Sequence, residues 1–370
     1  MAKSYKTLEK VSKLKHVLSR LSAGLASNDF VPVLTHFCFS KSTSWAITYN
    51  DLLLIAIDTE LSRLDCAVPA TFASIINNLS TETVNLEYTG EAMVITSSGS
   101  RKVTLPTLGS DIFVVDDVEP LEDVVLEVNV DKVTTEAFKR LGKIVLEDMY
   151  NSLQMGIVLE CSGDGLRLYA TGNNVLVRSE LKCGYKMHRD VASYSVLPVS
   201  FCNQLSGWEG LNGPIDLTIS DGAAMLDIDA SVTAVVRTDL PYDSSQGERL
   251  AELFVPYEEL GDDDLSPIPP ELFEIAVVAG LFGDVDITIK TLDEHTIRIE
   301  HEGPGGSVSY YAELENGLDP DLAGSVSMPV GALGAALSLM PHESGEMAIM
   351  PDGVYFVSGS MDCIVSLSEG

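Results

Sequence analysis

Residues 66–108 read CAVPATFASIINNLSTETVNLEYTGEAMVITSSGSRKVTLPTL, and the order of parts in this stretch returns twice more along the chain. An apolar strand end runs into Val68-Pro69. Phe72, Ile75, Ile76 and Leu79 then recur at helical spacing over 70–79, with proline suited to the first helical position. Three runs of strand character follow, 83–88, 92–97 and 101–105, parted by Thr89-Gly90 and by the turn at 97–100.

The second copy opens on Ser195-Val196-Leu197-Pro198. It predicts a helix over 199–208 and strands over 215–219, 224–228 and 233–237. The third opens on Ser327-Met328-Pro329, with a small-residue helix to about Leu339 and strands over 346–350, 354–358 and 363–367. Pro69, Pro198 and Pro329 stand 129 and 131 residues apart, one ordinary domain length each, so the pattern predicts three tandem copies of one domain type.

A second echo precedes each copy: Ile57-Asp58-Thr59-Glu60-Leu61, Val177-Arg178-Ser179-Glu180-Leu181 and Tyr310-Tyr311-Ala312-Glu313-Leu314. Each closes a β-rich first half. In the first domain a strand over 4–11 meets Ser12 as N-cap, and a helix runs to Ala23 with Gly24 as its stop. Its inward stripe is Leu14, Leu18 and Leu21, with Lys13, His16 and Arg20 opposite and Lys10 just before the cap. Strands over 35–39, 44–49 and 52–61 complete the half.

The second domain opens on a strand over 124–130. Its helix is capped by Thr134, with Phe138, Leu141, Ile144 and Val145 on one face and Lys139, Arg140 and Lys143 on the other. Strands over 156–160, 165–171 and 175–181 follow, the first two joined by a tight turn at Gly163-Asp164-Gly165. The third domain predicts a strand over 253–257 and a helix started by Pro269-Pro270, whose polar positions are Glu271 and Glu274. Each domain is a doubled β-α-β-β-β motif. Runs 109–123 and 242–248 read as linkers, giving domains 1–122, 123–248 and 249–370.

With 370 residues and 45% apolar content the chain can bury several cores. No leader-like or membrane-length apolar run is present, which predicts a soluble, cytoplasmic protein. Six scattered cysteines, none in a C-x-x-C pair, read as buried thiols. The net charge of −32 disfavours a nucleic-acid partner, yet its distribution is uneven. Residues 1–122 hold 10 basic and 14 acidic side chains, 123–250 hold 11 and 18, and 251–370 hold 2 and 23.

Chemistry is hard to place. The acidic pairs Asp227/Asp229 and Asp284/Asp286 and the run Asp262-Asp263-Asp264 suit solvation in a chain with 55 acids. His295 and His301 match no zinc spacing, and Gly303-Pro304-Gly305-Gly306-Ser307 lacks the Gly-Lys-Ser/Thr of a phosphate loop and reads as a hairpin. There is no nucleophile elbow, so the sequence predicts no enzyme, cofactor or metal.

Several local motifs resemble the bacterial-type DNA sliding clamp, the β subunit of DNA polymerase III. They are Asn50-Asp51-Leu52, Asp58-Thr59-Glu60-Leu61, Val68-Pro69-Ala70, Leu105-Pro106-Thr107-Leu108 and Phe113 in the first domain. In the second they are Phe138-Lys139-Arg140-Leu141, the run 164–171 and Leu240-Pro241. The family's Gly-His-Arg-Leu is replaced by Gly172-Asn173-Asn174-Val175-Leu176, and its Met-Pro-Met-Arg-Leu ending by the run 364–370. With the acid-rich last third, these departures mark a divergent member of the kind a phage would encode.

The resemblance implies an α+β fold of three clamp domains, with sheets outside and helices lining a ring closed head to tail by two protomers. It implies a processivity factor that encircles double-stranded DNA without sequence preference. Lys10, Lys13, Arg20, Lys139, Arg140 and Lys143 would face the phosphates diffusely, since tight phosphate contacts would stop sliding. It further implies a groove formed by Thr171, Val175, Leu176, Pro241, Ile364 and Leu367 for short peptide motifs of a DNA polymerase and a clamp loader. The alternative is a clamp-shaped interaction scaffold that does not encircle DNA, suggested by the two basic residues after position 250.

Overall fold

The structure is a computed structural model that describes residues 5–26, 31–50, 53–97, 101–109, 120–145, 156–189, 193–205, 214–229, 233–240, 245–283, 285–316, 325–341 and 344–368. Asp51, Leu52, Phe113, Pro241 and Asp284, along with much of both expected linkers, lie outside the described residues.

In chain order, the first repeat holds β1 (Tyr5–Lys10), α1 (Val11–Leu21), β2 (His36–Phe39), β3 (Trp45–Tyr49) and β4 (Leu54–Asp58). It continues with β5 (Cys66–Pro69), α2 (Thr71–Asn77), β6 (Thr83–Tyr88), β7 (Ala92–Ser97), β8 (Lys102–Pro106) and β9 (Leu108–Gly109). The second holds β10 (Val124–Asn129), α3 (Lys132–Leu141), β11 (Gly156–Ser162), β12 (Gly165–Gly172), β13 (Val175–Leu181) and β14 (Tyr185–Met187). Its closing half is β15 (Ser193–Pro198), α4 (Val199–Leu205), β16 (Ile215–Ser220), β17 (Ala223–Asp229) and β18 (Thr233–Asp239).

After α5 (Ser245–Glu252) and α6 (Val255–Glu258) come β19 (Ser266–Pro267), α7 (Pro270–Phe282), β20 (Asp286–Thr291), β21 (Thr296–Gly303) and β22 (Gly306–Glu313). The chain closes with β23 (Ser325–Pro329), α8 (Val330–Leu337), β24 (Glu346–Met350), β25 (Gly353–Ser358) and β26 (Met361–Ser366). The three prolines thus end β5, β15 and β23, each just before a helix. They are strand terminators that cannot continue a ladder, and none is the first residue of its helix.

The chain divides into two compact units, one holding 1–132, 183–188 and 203–240, the other 133–182, 189–202 and 241–370. The division follows the sheets. Unit one contains a four-stranded sheet, β1-β6-β7-β8, and a ten-stranded sheet, β14-β10-β16-β17-β18-β4-β3-β2-β5-β9. Here β4 of the first repeat pairs antiparallel with β18 of the second, Ile57 opposite Ala234 and Ile55 opposite Val236. Leu14, Leu18 and Leu21 of α1 are fully buried, as are Phe37, Phe39 and Phe72; Phe39 and Phe72 meet edge to face at 6.3 Å.

Unit two contains an eight-stranded sheet, β15-β11-β12-β13-β26-β25-β24-β19, and a four-stranded sheet, β22-β21-β20-β23. The same kind of join recurs: β13 pairs antiparallel with β26, Val177 opposite Cys363 and Leu176 opposite Ile364. Helices α7 and α8 pack on each other, α7 against β21 and β22 and α8 against β13 and β26. The β21–β22 hairpin turns at Gly306, whose φ of 147° an L side chain avoids.

Three local expectations need correction. Ser12 is not the cap of α1, because β1 runs straight into the helix at Val11: the extended Lys10 takes the cap position with no side-chain hydrogen bond, Ser12 falls inside the first turn, and the Val11 N–H donates to the Glu82 carbonyl at 2.9 Å. Thr134 lies inside α3, buried, two residues after the helix begins. The expected strand over 253–257 is instead the turn at 253–254 and the start of α6, with Leu250, Phe254 and Tyr257 buried across the break between α5 and α6; the strand before α7 is β19. Among the described residues, no helix is long and apolar enough to cross a membrane.

Candidate DNA-facing and peptide-binding sites

Basic residues gather on two helices. On α1, Lys10 at the cap and Lys13 are exposed, while His16 and Arg20 are half-buried. Lys15 is drawn aside to donate to the Leu79 carbonyl at 3.2 Å. On α3, Phe138 and Leu141 are buried and Lys139 and Arg140 point to solvent, with Lys143 exposed in the turn that follows. Glu136 stands between the two helical cations, 3.9 Å from Lys139 and 3.6 Å from Arg140. Such exposed pairs contribute about 0–1 kcal/mol, so both cations remain available to another anion.

Helices α2, α4, α7 and α8 carry no Lys or Arg. On α7, Glu274 is exposed, and Val277 and Leu281 stand 71% and 80% exposed toward its C-terminal end. An apolar surface of this kind on an otherwise well-packed helix is the mark of a face meant to be covered.

The expected peptide-binding residues that the structure describes all belong to unit two, but they do not all share a surface. Successive strand residues point to opposite faces. Thr171, Leu176, Ile364, Tyr355 and Ala348 form one row across β12, β13, β26, β25 and β24 by direct pairing. Val175, paired with Val365, belongs to the opposite face with Val177 and Cys363, the side against which α8 packs. Alternation along 175–177 is the signal that separates Val175 from Leu176. Leu367 is half-buried just beyond β26.

Leu176 and Ile364 are also not open. They are 8% and 7% exposed, inside one apolar cluster with Tyr169, Tyr355 and, from α5, the turn after it and α6, Leu250, Phe254 and Tyr257. The Phe254 ring lies 6.0 Å from Tyr169 and under the Arg178 guanidinium at 4.5 Å, and Tyr257 stacks on Tyr355 at 4.9 Å. The Tyr257 hydroxyl donates to Asp352 at 3.2 Å. Burial raises the Tyr257 and Tyr355 hydroxyls above the usual tyrosine range, with Asp352 and Asp362 adding to it.

Arg178 donates to Glu258 of α6 and, at 2.7 Å, to Asp362 of β26. Burial opposes its charge, but those hydrogen bonds and the Asp362 charge outweigh that and raise its pKa. No motif in the sequence marks Arg178 or the cover residues as parts of a site. Gly247 in α5 approaches Tyr194 so closely that a Cβ would lie 2.4 Å from the ring.

Five of the six thiols, Cys38, Cys66, Cys161, Cys202 and Cys363, are buried. Burial pushes Cys38 and Cys66 up to about 12 and Cys161 to about 11. His301 is buried with Nδ1 3.2 Å from the Asp286 carbonyl oxygen, while His295 is exposed and bonds to the Leu314 carbonyl instead. Among the described residues, no group of three His, Cys, Asp or Glu side chains is placed to hold a metal ion.

No protein-family model and no curated protein matches the sequence. Solved structures do. A Helicobacter pylori β clamp bound to a DNA ligase peptide matches with a TM-score of 0.76 at 15% identity, covering 99% of this chain and 100% of that one. A putative DNA polymerase III β subunit from Eubacterium rectale matches with a TM-score of 0.78 at 15% identity over 99% and 100%. A DNA polymerase sliding clamp from Pseudomonas aeruginosa matches with 0.74 at 13% identity over 99% of each chain. The chain has the α+β fold of these β clamps over its whole length.

Proposed function

We propose that the protein is a DNA sliding clamp, a non-catalytic, cytoplasmic processivity factor. Two copies, each with domains 1–122, 123–248 and 249–370, close head to tail around duplex DNA, helices lining the hole and sheets outside. The observation that carries this reading is an unfinished pattern of joins. In both joins within the chain, the strand ending a first half pairs with the strand ending the next closing half: β4 with β18 and β13 with β26.

By the same rule β22 needs a closing-half strand and β8 needs a first-half strand. Among the described residues, each is the outermost strand of its own sheet. A second copy supplies both, because a heterologous contact used twice about a two-fold axis closes into a ring. The exposed apolar end of α7, packed beside β22, would then be covered as well.

The repeats also fix a register. Ile57 and Val177 occupy the place of Tyr310, and Ala234 and Cys363 that of Val103, so Ser309 should lie opposite the partner copy's Thr104. Both side chains are exposed. Oxidising the Thr104→Cys, Ser309→Cys double variant should give a covalent dimer through two bridges, while each single variant stays uncrosslinked on a denaturing gel. Crosslinking of the singles at equal yield would overturn the register.

Lys10, Lys13, Arg20, Lys139, Arg140 and Lys143 supply the cationic lining. The lack of Lys and Arg on α7 and α8 leaves two of six sectors acidic or neutral, so DNA should sit nearer the other four. Lys139→Glu with Lys143→Glu, both exposed, should leave thermal unfolding unchanged and weaken DNA binding. The salt exponent should drop by roughly 0.9 for each phosphate no longer neutralised, as read in a binding titration against salt.

The polymerase and clamp loader would dock short peptides on the sheet face at Thr171, Leu176, Ile364 and Leu367. The peptide-bound H. pylori clamp supports that mode of partner binding. The deciding experiment loads the protein on nicked circular DNA and then linearises it. A clamp is retained on the circle and slides off the new ends. Release that does not depend on linearisation would favour the second reading, a clamp-shaped scaffold, which rests on the two basic residues after position 250.

A further inference from the structure

We propose that residues 245–258 form a displaceable strap over the peptide site, seated on the sheet in the place of a partner's apolar anchors. The inference rests on the docking face named above. With Leu176 8% and Ile364 7% exposed, a partner side chain cannot reach them while Leu250, Phe254 and Tyr257 lie over the same row. Those three residues stand at i, i+4 and i+7 across the turn that joins α5 to α6, so the two short helices together present the row of apolar anchors that a helical ligand sets into a groove. The chain therefore carries an internal version of the ligand it would bind: a short segment with one aliphatic and two aromatic anchors.

The strap is built to leave. It consists of helices of 8 and 4 residues, too short to persist in water without a surface beneath them. Its departure leaves no charge orphaned on the sheet, because Arg178 keeps Asp362 when Glu258 goes. A partner peptide thus binds with its intrinsic affinity reduced by the fraction of molecules whose strap is open. Any change that loosens the strap should raise affinity.

Two variants loosen it from opposite ends without emptying the core. Glu258→Ala removes the half-exposed carboxylate that bonds Arg178. Gly247→Ala places a methyl 2.4 Å from the Tyr194 ring and lifts α5. The probe is a synthetic capped nonapeptide with adjacent Leu and Phe anchors, measured by fluorescence anisotropy and by amide hydrogen exchange on the full-length protein. We expect roughly threefold tighter binding for Glu258→Ala and roughly tenfold for Gly247→Ala, the latter equal to about 1.4 kcal/mol. Peptide addition should speed exchange over 245–258 and slow it over 171–179 and 361–367.

Binding that leaves 245–258 unchanged or protects it, with equal affinity in both variants, would make the strap a fixed wall and overturn the inference while the docking face stands. Absence of binding in the wild type and both variants would overturn the docking face and the strap with it.

Discussion

Leu281→Glu should turn the dimer into a monomer of 39.8 kDa that folds normally and is no longer retained on circular DNA. At 80% exposure the side chain contributes little to its own subunit, so a carboxylate there stays hydrated in the monomer. In a ring it would be buried beside β22, where Lys290 and Arg298, the cations of that sheet, already share Glu300. An uncompensated buried charge costs about 3 kcal/mol at the least. A closed two-protomer ring holds two such interfaces that form together. The total of about 6 kcal/mol corresponds to roughly four powers of ten in the dimer constant. Light scattering at micromolar concentration gives the mass, and an unchanged dimer would remove α7 from the interface.

Arg178→Ala should lower stability more than any surface change. Its guanidinium is clamped by Glu258 and Asp362 and lies over Phe254, and Asp362 itself is 14% exposed. Deleting the cation leaves Asp362 buried and unpaired at the β13–β26 join. Breaking a buried pair from one side costs on the order of 3 kcal/mol, a fall of roughly 6–12 °C in Tm. Asp362→Asn in the same background should recover part of the deficit, because the amide needs no counter-charge. A Tm within about 2 °C of wild type, on the order of experimental scatter against the shift expected for a buried pair, would show that solvent reaches the pair.

The tandem architecture is legible because each repeat marks the same event, a strand end followed by a helix, with the one residue that must stop a ladder. Pro69, Pro198 and Pro329 do so whatever surrounds them. The faces of α1 and α3 are legible for a similar reason, since 3.6-residue spacing sorts Leu14 from Lys13 and Phe138 from Lys139. What fails is local chemistry overridden by neighbours. Ser12 is a good cap by type, but β1 continues to Lys10 and the helix starts at Val11, which leaves Ser12 already inside the first turn. The strap reads as a strand because Leu253-Phe254-Val255 is a short apolar run next to Pro256, which fits a strand end. Its true signal, the 250/254/257 spacing, spans the break between two helices. The docking face is half legible: Leu176 and Ile364 meet, and Val175 falls on the other side by a one-residue alternation.

The joins also govern how the chain can fold as it is made. The β4 edge is completed only by β18, with Ile57 waiting for Ala234, and β13 only by β26, with Val177 waiting for Cys363. Pairings this distant in sequence place the chain among slow, high-contact-order folders, because long loops must close before the contacts repay them. During synthesis β4 emerges as a strand with a continuous apolar run, Leu54 to Ile57, and nothing beside that edge until residue 239 has left the ribosome. An uncovered edge is a template for pairing with a neighbouring nascent chain. The geometry that lets successive repeats share sheets therefore makes the half-made protein its own aggregation hazard, and its yield should depend on holdase chaperones more than the stability of the finished fold would suggest.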